Sequence, residues 1–156
     1  MIFETKEDIN APIEKVFPII SDFASFERSA LRRGAEVARL DNLRAPGPGM
    51  IWDLKFGLRG KRREFNLEMV SFDPPNGMRF HTQTAGVSGV MNVDLIALSR
   101  TSTRLSIRLE MTPANLTGRL LLQSLKLARS NIANRVNAKI YEFARSTEER
   151  LGDTTA

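Results

Sequence analysis

The stretch INAPIEKVFPIISDF, residues 9–23, marks the point where a first strand gives way to a helix. Ala11 is predicted as the helix cap and Pro12 as the first helical residue, because a proline at that position loses no hydrogen bond. Glu14 then lies in the first turn, where its charge complements the helix dipole. The apolar residues that follow recur at helical spacing and form one face, made of Ile13, Val16, Phe17 and Ile20.

A second proline limits the length of this helix. Pro18 has no N–H to donate to the carbonyl of Glu14, so it should kink or shorten the helix. We therefore expect the chain to turn at Ser21 and Asp22 and to enter a second short helix around residues 23–30. Residues 1–9 before the motif are predicted as an edge or first strand.

From residue 35 onward the apolar pattern has a period of two, beginning with a predicted strand at residues 35–42. Loops are indicated at residues 45–50, APGPGM, and at residues 73–77, DPPNG. The alternation predicts an antiparallel meander with one face toward the core. That face carries Trp52, Leu54, Phe56, Leu58, Phe65, Leu67, Met69, Phe80, Thr82, Thr84, Met91, Val93, Leu95, Leu105, Ile107, Leu109 and Met111.

The chain ends in a long amphipathic helix. Residues 114–151 as one helix would span about 57 Å, whereas a globule of this size is only about 40 Å across. The helix must therefore begin near residue 120 or bend, and Gly118, Ser124 and Ser130 are candidate soft points. Its apolar stripe is Leu121, Leu125, Ala128, Ile132, Val136, Ile140, Phe143 and Thr147.

Composition bounds the class of protein. The chain has 156 residues, of which 42% are hydrophobic, so we expect one domain over residues 1–156 with one core. It has no cysteine and a single histidine, His81, which excludes disulfides and multi-histidine zinc sites. No P-loop or dinucleotide fingerprint is present, so no metal and no cofactor are expected. Without a signal peptide or a long apolar run, a soluble cytoplasmic protein is expected, with no stable membrane insertion.

The formal charge of +5 raises the question of an anionic partner. The only dense basic run is LRGKRRE, residues 58–64, in which Arg59, Lys61, Arg62 and Arg63 would form a basic hairpin turn. An ordinary solvated surface is the simpler interpretation. Nucleic acid is therefore not expected as a partner.

The motif and the order of elements together resemble a known superfamily. INAPIEKVFPIISDFASF looks like the opening motif of the START-like (SRPBCC) superfamily, which includes the major birch-pollen allergen, lipid-transfer START domains and bacterial polyketide cyclases. The matching positions are Ile9, Ala11, Pro12, Glu14, Val16, Phe17 and Asp22. Pro18 departs from that pattern, and FERSALRR at residues 26–33 lacks the tryptophan that often follows the second helix.

The resemblance implies an α+β helix-grip fold. In this fold a curved seven-stranded antiparallel sheet wraps around a long C-terminal helix, with two short helices after strand 1. Among the Bet v 1-like proteins, the chain most resembles a bacterial member of the polyketide cyclase/dehydrase type. Such proteins hold a hydrophobic or amphipathic small molecule, such as a lipid, an isoprenoid or a polyketide, in a cavity between the sheet and the C-terminal helix.

The residues permit such a cavity, although the same side chains could fill a solid core. Cavity-lining positions are predicted at Phe17, Trp52, Leu54, Phe56, Phe65, Leu67, Met69, Phe80, Thr82, Thr84, Met91, Val93, Leu125, Ile132 and Lys139. Lys139 lies near the centre of the helical stripe. It either extends to the rim of the cavity or points toward an anionic head group of the ligand.

Two further functions stay open. Resemblance to the polyketide cyclases and dehydrases would make the chain an enzyme, in which Thr82, Thr84 or Lys139 orients the substrate. Alternation directs His81, Asp53 and Asp94 outward, so no catalytic residue is identified. Resemblance to ribosome-association toxins would instead make the basic turn a contact with protein or ribosome.

The oligomeric state is not fixed by the sequence. Leu116, Leu120 and Leu127 lie on the side of the C-terminal helix opposite its apolar stripe. They could form a dimer contact or cover the mouth of the cavity, so the protein is expected as a monomer or a homodimer.

Overall fold

One antiparallel sheet and four helices make up the fold in a computed structural model, which describes residues 1–58 and 60–155. The elements are β1 Ile2–Ile9, α1 Ile13–Ile20, α2 Phe23–Arg32, β2 Glu36–Arg39, β3 Ile51–Leu58, β4 Lys61–Asp73, β5 Gly77–Thr84, β6 Val87–Ser99, β7 Ser102–Pro113, α3 Leu116–Leu127 and α4 Arg129–Thr155. The sheet order is β1-β7-β6-β5-β4-β3-β2, so the first strand pairs with the last. The predicted seven-stranded helix-grip architecture is confirmed.

The first helix starts one residue later than predicted. Pro12, and not Ala11, is the cap, because its backbone is extended (φ −63°, ψ 146°) while its carbonyl accepts hydrogen bonds from the N–H groups of Lys15 and Val16. The helix ends at Ile20 with Pro18 inside its last turn, so it is as short as the sequence predicts.

The end of β1 is tied to the last strand by a buried hydroxyl. Ile9 pairs with Thr103 of β7, and Thr103 Oγ1 donates a 2.7 Å hydrogen bond to the carbonyl oxygen of Ala11. Both Ile9 and Thr103 are fully buried. The bond satisfies a carbonyl that would otherwise be buried without a partner, and it fixes where α1 leaves the sheet.

The second strand is shorter than the predicted range of residues 35–42. β2 ends at Arg39 because Asp41 turns the chain, accepting hydrogen bonds from the backbone N–H of Leu43 at 3.0 Å and of Ile51 at 2.8 Å. The carboxylate replaces the partners that a continuing strand would have supplied.

The C-terminal helix is divided into α3 and α4. The first begins at Leu116, so of the two predicted alternatives, a late start or a bend, the bend is the one found. The break falls at Ala128 and not at the predicted soft points. Directly after the break, the guanidinium of Arg129 donates a hydrogen bond to the carbonyl of Ile2 at 3.0 Å and lies over the ring of Phe3. These contacts hold the start of α4 against β1.

The buried apolar residues form two clusters among the described residues. The larger lies between the concave face of the sheet and the helices α1 and α4, and includes Ile9, Val16 and Met69. The smaller lies under α3 and consists of Val87, Leu121, Leu122 and Leu125. No described helix combines the length and the apolar character needed to cross a membrane.

Candidate functional site

A cavity of about 610 Å³ opens between the concave face of the sheet, α2 and the middle of α4. Its floor is apolar, since the period-two pattern places one face of each strand toward it. The strands contribute Val37, Trp52, Leu54, Leu67, Met78, Phe80, Met91, Val93, Leu105 and Ile107. The helices contribute the apolar side chains of Ile20, Phe23, Phe26, Ala30, Ile140 and Phe143.

Several floor residues are only half-buried although they pack against the core. Leu54, Leu67, Met91 and Ile107 all contact the main cluster, and all four line the cavity. Their remaining exposed surface therefore borders the cavity. Residues in a filled core would have been covered completely, because protein interiors leave few voids larger than a water molecule.

Aromatic rings form the wall below α2. Phe23 lies 5.3 Å from the Trp52 ring and 6.4 Å from the Phe80 ring, measured between centroids. Phe26 lies 5.9 Å from Phe143 of α4. The second pair joins the two helices at the mouth, where Phe26 is still 43% exposed.

Polar side chains are confined to the helices at the mouth of the cavity. They are Glu27 and Ser29 on α2, Arg33 at the C-terminal cap of α2, and Lys139, Glu142 and Ser146 on α4. The Nζ of Lys139 lies 3.7 Å from the carboxylate of Glu142, so this lysine is at the rim. Arg33 is exposed and makes no side-chain hydrogen bond or ion pair within the described part of the chain.

A polar network fixes α2 to the sheet beside the mouth. Trp52 Nε1 donates a 2.8 Å hydrogen bond to Glu27 Oε1, and Arg39 lies 3.7 Å from the same oxygen. The guanidinium of Arg39 also lies over the Trp52 ring, 5.3 Å from its centroid. Arg39 in turn donates two hydrogen bonds to Asp41, at 2.9 and 2.6 Å. Glu27, the acid nearest the aromatic wall, is thus already engaged.

The charge state of Asp41 follows from this network. Hydrogen bonds from Arg39, and then from the backbone N–H groups of Ile51 and Leu43, hold the pKa of the Asp41 carboxyl well below its usual value. Because the pKa is depressed in the folded state, the ionised carboxylate stabilises the fold above the unfolded pKa of about 3.9. That contribution is lost as the pH falls toward the folded-state pKa.

An Asp41→Asn variant is therefore expected to have a lower Tm than the wild-type protein at pH 7, with the difference shrinking steadily below about pH 4. Thermal unfolding followed by circular dichroism between pH 2.5 and pH 7 measures this. Glu149→Gln, at an exposed position of α4, is the matched control and should change little. A Tm difference that stays constant down to pH 2.5 would contradict the assignment.

The structure places seven of the predicted lining residues on the cavity: Trp52, Leu54, Leu67, Phe80, Met91, Val93 and Lys139. Phe17 and Met69 are buried in the adjacent core, where the Phe17 ring lies 5.5 Å from Phe72. A ligand-binding role for these nine residues stays a prediction.

Six predicted residues lie away from the cavity. Phe56 and Phe65 stack on each other, 4.3 Å apart, further along β3 and β4. Thr84 Oγ1 donates to the backbone carbonyl of Glu64 at 2.8 Å, and Thr82 does not line the cavity either. Alternation identifies the face of a strand but not the distance along it. Leu125 and Ile132 pack in the cluster under α3 and not on the cavity, whose α4 wall runs from Lys139 to Ser146.

Helix α2 is the part of the site that the sequence prediction did not include. Phe23, Phe26 and Ala30 lie at helical spacing and face the cavity. This amphipathic spacing was a signal that could have located them. Met78, Leu105 and Ile107 of the sheet also line the cavity without being among the predicted lining residues, although the last two belong to the predicted inward face.

The polar residues outside the cavity give few chemical options. His81 and Asp94 are exposed on the outer face, as predicted. In the described ranges, no cluster of three or more His, Asp or Glu side chains is placed to hold a metal ion. In the basic turn, Arg59 lies outside the described residues, and Arg62 pairs with Glu36 at 3.2 Å.

Comparison with known proteins agrees with this architecture. The family model described as polyketide cyclase / dehydrase and lipid transport matches residues 1–145. No curated protein sequence matches the chain.

Solved structures share the fold at low sequence identity. Protein TTHA0849 of Thermus thermophilus is 17% identical, with a TM-score of 0.68 and full coverage of both chains. The ZhuI aromatase/cyclase of Streptomyces sp. R1128 is 14% identical, with a TM-score of 0.66 and coverage of 97% of this chain and 95% of that one. Norcoclaurine synthase of Thalictrum flavum is 11% identical, with a TM-score of 0.68 and coverage of 97% and 86%.

Proposed function

Because this chain belongs to the polyketide cyclase / dehydrase and lipid transport family, we propose that it binds a hydrophobic or amphipathic small molecule in the cavity below α2 and α4. The observation that carries the proposal is the cavity itself. Its volume of about 610 Å³ is typical of ligand pockets, which range from about 300 to 1,000 Å³. Its floor is made of apolar side chains alone.

The distribution of polarity suggests the shape of the ligand. An apolar body, such as that of a lipid, an isoprenoid or a polyketide, matches the floor of leucine, methionine and aromatic side chains. The polar end would lie at the mouth, beside Arg33 and Lys139. Lys139 already has Glu142 as a partner, so Arg33 is the better candidate to pair with an anionic group.

A cyclase/dehydrase-like enzyme is the alternative. Proton transfer needs an acid or a base within hydrogen-bonding reach of the substrate. Among the described lining residues, the sheet supplies no titratable side chain, and the acids and bases are all on the helices at the mouth. Glu27 is the group closest to the aromatic wall, but it accepts the Trp52 hydrogen bond. The arrangement thus favours binding over catalysis.

The proposal is tested by titrating the purified protein with the fluorescent probe N-phenyl-1-naphthylamine. We expect saturable binding of the probe and its displacement by a long-chain fatty acid. Native mass spectrometry of the gently purified protein should also show whether a molecule travels with it. Failure to bind the probe, together with no co-purified molecule, would reject the binding function.

The charged end of the ligand is tested separately. We expect Arg33→Gln to weaken displacement by palmitic acid about five- to tenfold, because a charge-assisted hydrogen bond is lost. Displacement by hexadecanol should be unchanged. Arg32→Gln, at the neighbouring last residue of α2, is the matched control, because Arg32 does not line the cavity. Equal weakening of acid and alcohol would show that Arg33 does not recognise the charge.

A further inference from the structure

Helix α3 is apolar on two opposite sides. Its inward side, Gly118, Leu121, Leu122 and Leu125, is buried against β6 and β7. Its outward side presents Leu116, Leu120 and Leu127, which are 69%, 57% and 92% exposed. At 100° per residue these three leucines fall within about 40° of one another, opposite the buried side. Single exposed leucines are common, but a row of three along one face of a helix is not explained by packing within this chain.

The charge around this face has one sign. Residues 111–141 contain no aspartate and no glutamate, but five cations: Arg119, Lys126, Arg129, Arg135 and Lys139. Their sum equals the formal charge of the whole chain, +5. Arg119 and Lys126 are exposed on α3 itself and lie beside the leucine row. The apolar face is thus flanked by positive charge and faces no acid on its own helix.

We propose that the outward face of α3, defined by Leu116, Leu120 and Leu127 with Arg119 and Lys126, docks onto a membrane surface that contains anionic lipids. A helix that lies in a membrane interface buries apolar side chains at the level of the acyl chains while basic side chains reach the lipid phosphates. Lys and Arg side chains near an anionic surface add electrostatic attraction to this apolar contact. Such docking is peripheral and requires no membrane-spanning helix.

A second copy of the chain fits this face less well. Two α3 helices placed face to face would bring the Arg119 and Lys126 side chains of both copies together, and like charges repel. The helix has 12 residues and is about 18 Å long. Three leucines on such a helix offer much less than the roughly 800 Å² per partner that stable interfaces bury.

The docking face is separate from the cavity, because no residue of α3 lines it. The inference therefore goes beyond the proposed function and does not depend on it. Vesicle binding is measured on variants of α3, and probe binding is measured on variants of the cavity, so one can fail without the other.

Co-sedimentation with lipid vesicles tests the inference. We expect the protein to bind vesicles of phosphatidylcholine mixed with phosphatidylglycerol at low salt and not to bind pure phosphatidylcholine vesicles. Raising the salt concentration should weaken binding. The double variant Leu120→Ser/Leu127→Ser should lose at least fivefold in vesicle affinity, and Arg119→Gln/Lys126→Gln should lose a similar amount. Because all four side chains are exposed, neither variant should lower the Tm appreciably.

The matched control is Ile96→Ser/Leu98→Ser on β6, where the two apolar side chains are 54% and 44% exposed. This variant should bind vesicles like the wild-type protein. Three results would overturn the inference: no binding to anionic vesicles, equal loss in the control, or unchanged binding in both α3 variants. A concentration-dependent dimer that disappears in the leucine variant would likewise overturn it and would assign the face to a second copy.

Discussion

A Gly118→Ala variant is expected to lose about 3 kcal/mol of folding free energy, at the upper end of the usual cost of overpacking. A Cβ on Gly118 would overlap the carbonyl oxygen of Gly86 and would lie 3.2 Å from the backbone nitrogen of Val87. These are backbone atoms of the β5–β6 turn, so they cannot move aside as a side-chain end could. The same Gly86 carbonyl accepts a 2.7 Å hydrogen bond from the N–H of Ala114. Relief of the overlap would have to separate α3 from the sheet.

The expected change in folding free energy has the opposite sign to the usual effect of replacing glycine by alanine in a helix. In an unconstrained helix, replacing glycine by alanine stabilises by up to about 1 kcal/mol. Gly152 of α4 is the matched control, because a Cβ there would meet no atom within 4 Å apart from its chain neighbours and its own helix backbone. We expect Gly152→Ala to be neutral or stabilising and Gly118→Ala to be strongly destabilising in urea denaturation followed by circular dichroism. A stabilised Gly118→Ala would show that α3 does not rest on the turn.

The order and type of the elements could be predicted because local chemistry determines them. Pro12 and Pro18 limit the first helix, and alternation identifies the strands of the meander. Glycine and proline mark the loops at residues 45–50 and 73–77, and β5 begins at Gly77. Each of these signals acts within a few residues of itself, so one sequence is sufficient to detect it.

The elements that were placed incorrectly depend on contacts between distant residues. The break before α4 lies next to Arg129, whose guanidinium donates a hydrogen bond to the carbonyl of Ile2, 127 positions away. Strand β2 ends just before Asp41, because the Asp41 carboxylate turns the chain by accepting a hydrogen bond from the N–H of Ile51. Nothing in the local periodicity indicates which partner such a side chain will find.

Only part of the candidate site could be predicted, because the extent of the cavity also depends on how distant elements pack. The inward face of the sheet is longer than the cavity, and a bulge between Met69 and Ser71 shifts the register of β4 against β5. Phe56 and Phe65 share that face with Leu54 and Leu67 but stack on each other beyond the cavity. The sequence shows which residues point inward. The curvature of the sheet and the position of α2 determine which of them remain uncovered.

The largest functional effect is expected from filling the cavity. In a Leu67→Trp/Ile107→Trp variant, two indole rings would enter the space from β4 and β7. We expect probe affinity to fall at least tenfold, because the rings would occupy the volume that the probe needs. The Tm should remain unchanged or rise, since cavity filling commonly stabilises by about 0.5–2 kcal/mol.

The combination of the two readouts separates a cavity from a filled core. If Leu67 and Ile107 were packed on all sides, enlarging them would cost about 1–3 kcal/mol each, and the Tm would fall. Ile96→Trp on the exposed face of β6 is the control for the added aromatic surface and should alter neither readout. A variant with a lower Tm and unchanged probe binding would locate the probe elsewhere. A variant with a preserved Tm and lost probe binding would place the ligand between α2, α4 and the sheet.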